Sequence, residues 1–239
     1  MSLLDTLNTG DRDQERIYGV VAGIVTNNKD TDGLGRVKLK FPWLSDNNET
    51  EWVRIATLMS GDKMGSFFLP EVGDEVLVAF EHGDINYPYV LGCLWNGKAK
   101  PPETNSDGKN NIRKFKSRSG HEIIFDDNAE QKKEKLEIKT KAGHKIVLDD
   151  ANAKEQIGIQ SKGGHKIILN DAAGSEKIEI IDKAGSNKIV INSTQNSINI
   201  ESAMQLKIKA NMVEIEGTTS LTLKSSAIVT IQGMPVKIN

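Results

Sequence analysis

The chain has 239 residues, 31 Lys and Arg against 33 Asp and Glu, and one cysteine, Cys93. That length holds one large domain or two ordinary ones. A net charge of −2 supplies no global basic field for nucleic acid or an anionic membrane, and the lone cysteine excludes an intrachain disulfide and a cysteine-cluster zinc site.

Residues 1–16 contain no basic region followed by an apolar stretch of signal-peptide length, and no run in the chain approaches the roughly 18–20 apolar residues of a membrane helix. The expectation is a chain synthesised in the cytoplasm without a signal peptide. Leu3, Leu4 and Leu7 fit either a short docking helix or a frayed end.

Residues 17–97 read as five short strands. IYGVVAGIVTN is β-rich and is followed by the turn signal NNKDTDGLG. In GRVKLKF, Val37, Leu39 and Phe41 alternate with Arg36, Lys38 and Lys40, and Pro42 stops the strand. EWVRIATLMS, GDEVLVAFEHGD and YPYVLGCLWNG supply three more. Five strands without an amphipathic helix predict a small Greek-key barrel of the OB type with about five buried rings, although periodicity leaves its closure open. Residues 98–116, polar and carrying Pro101–Pro102, read as a linker.

Beyond the linker the composition changes. Eleven of the twelve aromatic residues lie at or before Phe115, the last is Phe125, and from Asn128 to Gly233 there is neither an aromatic ring nor a proline. An ordinary globular core does not form from such material. Instead SGHEIIFDD, AGHKIVLDD, GGHKIILND and AGSNKIVIN repeat one unit, with Gly120, Gly143, Gly164 and Gly185 spaced 23, 21 and 21 residues apart. Each unit carries a second strand: KLEIKT, QIGIQS, KIEIID or SINIES. Farther on, apolar pairs recur every seven or eight residues at Leu206/Ile208, Val213/Ile215, Leu221/Leu223, Val229/Ile231 and Val236/Ile238. Some thirteen strands, each with one apolar face, would leave that face in water in a single flat ladder. A one-chain solenoid suits the 21-residue units but not the shorter spacing. The favoured expectation is an intertwined homotrimer over 117–239, with Ile198, Ile200, Leu206, Ile208, Val213, Ile215, Leu221, Leu223, Val229 and Ile231 in its core.

The run LPEVGDEVLVAFEHGDINYPYVLGCLWN, preceded by GRVKLKFPW and EWVRIATLMSG, resembles the OB-domain signature of spike proteins from contractile injection machines. These are the phage baseplate assembly protein V, VgrG and T4-like central spike families. The repeats that follow resemble the triple-stranded β-helix of the same spikes. The resemblance implies an all-β chain with no cofactor: an OB barrel followed by a trimeric β-prism needle, a structural and non-enzymatic component of a phage tail, a type VI apparatus or an extracellular injection particle. It further implies a separate hub protein docked on residues 1–16, surrounding baseplate proteins and contact with a target membrane only on firing. Relatives that form their own metal-bound point use a His-x-His near the end, whereas this sequence has no histidine after His165. A PAAR-like tip protein is therefore expected on Met234, Pro235, Val236, Lys237, Ile238 and Asn239.

Other chemistry is weighed residue by residue. His121, His144 and His165 share one repeat position, where three chains could gather imidazoles around a metal, but each follows a turn glycine, where a polar corner residue is expected. His82 reads as a turn residue. Asp126–Asp127 and Asp149–Asp150 end strands, and adjacent residues on a strand face opposite ways, so solvated turns are preferred to calcium ligands. No nucleophile motif and no phosphate loop is present, and no catalytic, cofactor or metal residue is assigned. The alternative is an OB-fold oligonucleotide-binding protein with a β-repeat oligomerisation domain, stacking bases on Trp43, Trp52, Phe67, Phe68, Tyr87, Tyr89 and Trp95. Against it, residues 1–116 hold 14 cationic and 17 anionic side chains, which opposes phosphate binding. A β-helical polysaccharide enzyme or adhesin would usually show an aromatic or carboxylate-lined groove, and the repeats have no ring after Phe125.

Overall fold

A computed structural model describes residues 16–44, 49–131 and 133–237. It divides into two compact units, one ending at Gly108 and the other beginning at Lys109.

The first unit is built on a five-stranded sheet. Strand β1 (Val20–Asn27) pairs antiparallel with β2 (Lys38–Lys40) and with β6 (Glu75–Phe80), and β6 pairs antiparallel with β7 (Pro88–Leu94). Strand β3 (Arg54–Ile55) lies parallel to β7, giving the order β2-β1-β6-β7-β3. The two edges meet through reciprocal backbone hydrogen bonds between Val37 and Val53, at 3.0 and 2.7 Å, with a second bridge between Lys40 and Glu49. The sheet is thereby curled until its two edges meet at these bridges.

Alternation puts Val76, Val78 and Phe80 of β6 inside, where they meet Val25, Val37, Leu39, Phe41, Val53 and Val90. This core is aliphatic. Of the rings, Phe41 and Phe80 alone are buried among the described residues, 5.6 Å apart, so the expectation of about five buried rings is not met. Valines suffice because a five-stranded barrel is narrow. Gly23 shows how narrow: a Cβ there would come within 3.3 Å of both the Phe41 ring and Val78.

Two local readings of the sequence are corrected. EWVRIATLMS is not one strand; after Arg54–Ile55 the chain enters a hairpin of β4 (Ser60–Gly61) and β5 (Met64–Gly65). The end of the expected linker is itself a strand, β8 (Ile112–Lys116), the first of the second unit.

That unit is a nine-stranded antiparallel meander in chain order from β8 to β16: β9 (Glu122–Asp126), β10 (Lys135–Lys139), β11 (Lys145–Asp149), β12 (Gln156–Gln160), β13 (Lys166–Asn170), β14 (Lys177–Ile181), β15 (Lys188–Asn192) and β16 (Ser197–Glu201). Each repeat unit supplies two of these strands. The chain is all β as expected, and the long antiparallel sheet is consistent with a β-prism.

In the loop between β1 and β2, the Asp30 carboxylate accepts two hydrogen bonds of 2.8 Å from the Arg36 guanidinium and others from the backbone of Asp32 and Leu34. Its side chain is 3% exposed. The Arg36 hydrogen bonds hold the Asp30 carboxyl far below the usual carboxylate range, against the opposing effect of burial. A carboxyl with a lowered folded-state pKa stabilises fully above its unfolded value, about 3.9, and loses that contribution as pH falls toward the folded value. Asp30→Asn is therefore expected to lower the barrel's melting temperature at pH 7 and to flatten its dependence on pH below about 4. Thermal melts from about pH 2 to about pH 7 check both effects.

Candidate assembly interface

The registers of the meander align side chains across strands. Phe115, Ile123, Ile138, Ile146, Ile159, Ile167, Ile180, Ile189 and Ile200 form one continuous row from β8 to β16. A second row runs through Phe125, Leu136, Leu148, Ile157, Leu169, Ile178, Ile191 and Ile198. The rows occupy positions two and four of each five-residue strand, so they share one face.

Even in mid-sheet these residues remain open: Ile146, Ile167 and Ile189 are each 39% exposed. Covering the exposed part of so many aliphatic side chains would contribute on the order of 10–20 kcal/mol before the costs of association. A hollow over β12–β16 on this face is lined by Ile159, Ile167, Ile180, Ile189, Ile200 and Leu206.

After β16 the described residues form no strand as far as Lys237. The expected short strands of this stretch therefore do not form within one chain, because a strand needs a hydrogen-bonded neighbour. The residues expected in the trimer core are nevertheless open: Ile198, Ile200, Leu206, Ile208, Val213, Ile215, Leu221, Leu223, Val229 and Ile231 are all more than half exposed. Met234 is fully exposed, and Pro235, Val236 and Lys237 are exposed as well. Ile238 and Asn239 lie outside the described residues, as does the expected hub-docking segment apart from Arg16.

The margins of the sheet have their own repeated chemistry. At each turn the glycine takes positive φ, +91° at Gly120, +96° at Gly143 and +97° at Gly164, a conformation that costs a non-glycine residue dearly. The histidine that follows accepts at Nδ1 a hydrogen bond from the backbone of the next repeat: His121 from Lys141 at 3.4 Å, His144 from Lys162 at 3.1 Å and His165 from Lys183 at 3.2 Å. In the fourth repeat the Asn187 amide oxygen takes this place, accepting from Ala203 N–H at 3.2 Å. The three imidazoles thus bridge successive hairpins and are not brought together. On the opposite margin, Asp126 and Asp149 accept from the backbone N–H two residues on, as Asx turns. Histidine and asparagine share the bridging role because each offers an acceptor at similar reach, a signal visible in the sequence only once the repeats are aligned.

On the barrel, the rings weighed for base stacking have separate surroundings. Trp52 lies beneath Arg36 and Lys38, Tyr89 lies under Arg54 and donates its hydroxyl to Glu81, and Phe67 and Phe68 line a groove beside the β4–β5 hairpin. Trp43, Tyr87 and Trp95 are exposed and do not line that groove. His82 sits in the tight turn between β6 and β7 with φ of 50°. No helix among the described residues is long and apolar enough to cross a membrane.

Comparison with known proteins agrees with the resemblance read from the barrel motif. Residues 21–95 match the family model of the type VI secretion system/phage-baseplate injector OB domain. The chain is 38% identical over 87 residues to the type VI secretion system spike protein VgrG5 of Pseudomonas aeruginosa, a match covering 35% of this chain and 11% of that protein. It is 35% identical over 106 residues to the spike protein VgrG3 of Vibrio cholerae, covering 41% and 10%. Another relative, 33% identical over 106 residues, is named actin cross-linking toxin VgrG1, also of Vibrio cholerae, and the match covers 10% of it. The chain thus spans about a tenth of the length of the curated relatives it matches, and it is VgrG-like and baseplate-V-like in its barrel.

The bridging role of the turn histidines is directly testable. His165→Asn should retain the stability of the second unit, as Asn187 does in its own repeat. His165→Leu leaves the Lys183 N–H to water and should cost about 0.5–1.5 kcal/mol. Chemical denaturation, with amide exchange at Lys183, distinguishes the two variants.

Proposed function

We propose that the chain is the structural central spike of a contractile injection machine: a homotrimer in which three copies of the second unit entwine as a membrane-piercing needle. The observation that carries this reading is the double aliphatic row of β8–β16, continued by an extended segment whose apolar pairs keep the same two-residue spacing. A single copy has nothing to set against either. Three copies wound about one axis would cover the rows and supply each extended strand with a hydrogen-bonded neighbour. Stiffness would follow from a dry aliphatic interior and from edges paired between chains.

The spike names of the barrel's relatives support placing that barrel in an injection apparatus, whether a phage tail, a type VI system or an extracellular particle. In this reading a separate hub protein contacts residues 1–16, baseplate proteins surround the barrels, and the protein has no enzymatic activity of its own. A PAAR-like tip protein seats on residues 234–239, where Met234 and Val236 offer exposed apolar surface.

The full-length chain is expected to sediment as a trimer. Replacing Ile208 or Ile215 with Asp places three carboxylates together near a dry axis, an uncompensated burial worth several kcal/mol, roughly 3–5 or more. Trimer yield and detergent resistance should fall sharply; a wild-type monomer, or variants with unchanged trimers, would refute the arrangement. Removing residues 234–239 should leave the trimer intact and abolish capture of a co-expressed PAAR-like protein in a pull-down, while capture at full strength would place the tip elsewhere.

A further inference from the structure

The face of the meander opposite the aliphatic rows carries one position that neither the fold nor the proposed assembly explains. The first, third and fifth residues of each strand share this face. Its central place is held by Glu137 in β10, Val147 in β11, Ile168 in β13, Glu179 in β14 and Val190 in β15. In β12 it is held by Gly158. Glycine in the middle of a strand weakens it, and its usual reasons are a bulge, a left-handed φ or a close approach. Gly158 has no positive φ, and its registers with β11 and β13 run without a shift. A Cβ there would meet nothing within 4 Å. Nothing within the chain requires glycine at this place, which leaves an approach from outside.

The missing side chain leaves a hollow of about 220 Å³. Val147 and Ile168 flank Gly158 across the two registers, and Lys145 and Lys166 stand on either side of Gln160 in the adjoining row. Both lysines line the hollow, and no acidic side chain does so among the described residues. The β10–β11 hairpin shows what is absent. There Glu137 takes the place of Gly158 and Lys145 that of Lys166, and their charged groups lie 3.9 Å apart. The β12–β13 hairpin keeps the lysine of this pair and lacks its carboxylate.

We propose that the hollow receives a glutamate or aspartate side chain from a partner protein lying against this face. A carboxylate seated over Gly158 replaces the one that Glu137 supplies to its own hairpin, and it answers Lys145 and Lys166 together. Its methylenes have Val147 and Ile168 as walls. The hollow is open toward solvent, whereas a site for a free small molecule encloses about 70–90% of its ligand. A side chain delivered by a protein needs no such enclosure, because its own backbone covers the opening. The hollow is built by one chain, so the proposal stands apart from the trimer reading; in that trimer this face would turn outward.

The probe is the peptide acetyl-Gly-Gly-Glu-Gly-Gly-amide, titrated at constant ionic strength into isotope-labelled full-length protein while the Gly158 amide resonance is followed. The shift should saturate, and the glutamine counterpart should bind at least about tenfold more weakly. Gly158→Glu supplies the carboxylate from within the chain, and Lys166→Met removes the cation at an exposed side chain without disturbing a core. Each should weaken peptide binding by at least about tenfold. Butyrate, a carboxylate on a similar arm without a peptide backbone, should also bind at least about tenfold more weakly than the glutamate peptide. Equal binding of the glutamate and glutamine peptides, or unchanged binding in either variant, would overturn the site. Butyrate binding as tightly as the peptide would overturn a partner's side chain as its occupant.

Discussion

The second unit is governed by one unsatisfied requirement: it has more apolar face and more strand edge than one chain can cover. Nine strands satisfy each other's backbone groups along the meander, yet each strand from β10 to β16 still places two aliphatic side chains on one uncovered face. Among the described residues past Glu201 even strand pairing stops. Water can solvate free amides and carbonyls, but it cannot relieve a continuous row of isoleucine. The repeat length and the turn glycines keep this face regular along its whole length, as the proposed trimer would require.

The barrel meets the same requirement in the opposite way. Its edges close through Val37 and Val53, and its core fills with valine, leucine and two phenylalanines from the same chain. The first unit can thus hide its own edges, whereas the second exposes its apolar rows in an unaccompanied copy. In the trimeric reading proposed above, such a division would couple folding of the second unit to assembly, since the free energy missing from one copy would be recovered on association. It also explains why aromatic residues concentrate in the first unit: two rings pack the barrel, and others are left on its surface.

Much of this was legible in the sequence because two periodicities are unusually clean. Alternation in GRVKLKF puts Val37, Leu39 and Phe41 on one face, and all three lie in the barrel core, while the 21-residue spacing marks all eight strands from β9 to β16. What escaped notice depends on local geometry without periodicity. Arg54–Ile55 is too short to show alternation, and the hairpin after it turns on Gly65, one glycine among 21. Strand β8 was hidden because its residues IRKFK continue the polar composition of the linker. The bridging histidines stand at equivalent positions of the repeats, but the reach of Nδ1 to the next repeat's backbone depends on the turn geometry, which the sequence does not show.

Those bridges bear on how the apolar rows keep their register. A hairpin ladder whose side chains are nearly identical from strand to strand can slip by a whole repeat at little cost in packing, because isoleucine would still meet isoleucine. Backbone hydrogen bonds do not prevent such a slip, since they too are equivalent in every register. The turn margins add a second tie: each histidine or asparagine bonds the backbone just beyond the adjacent strand pair, 16 to 20 residues along the chain. Asparagine in the fourth repeat makes that junction chemically distinct from the other three. In the proposed trimer the aliphatic face would supply the driving force for assembly, while the polar margins tie each turn to the next within the chain.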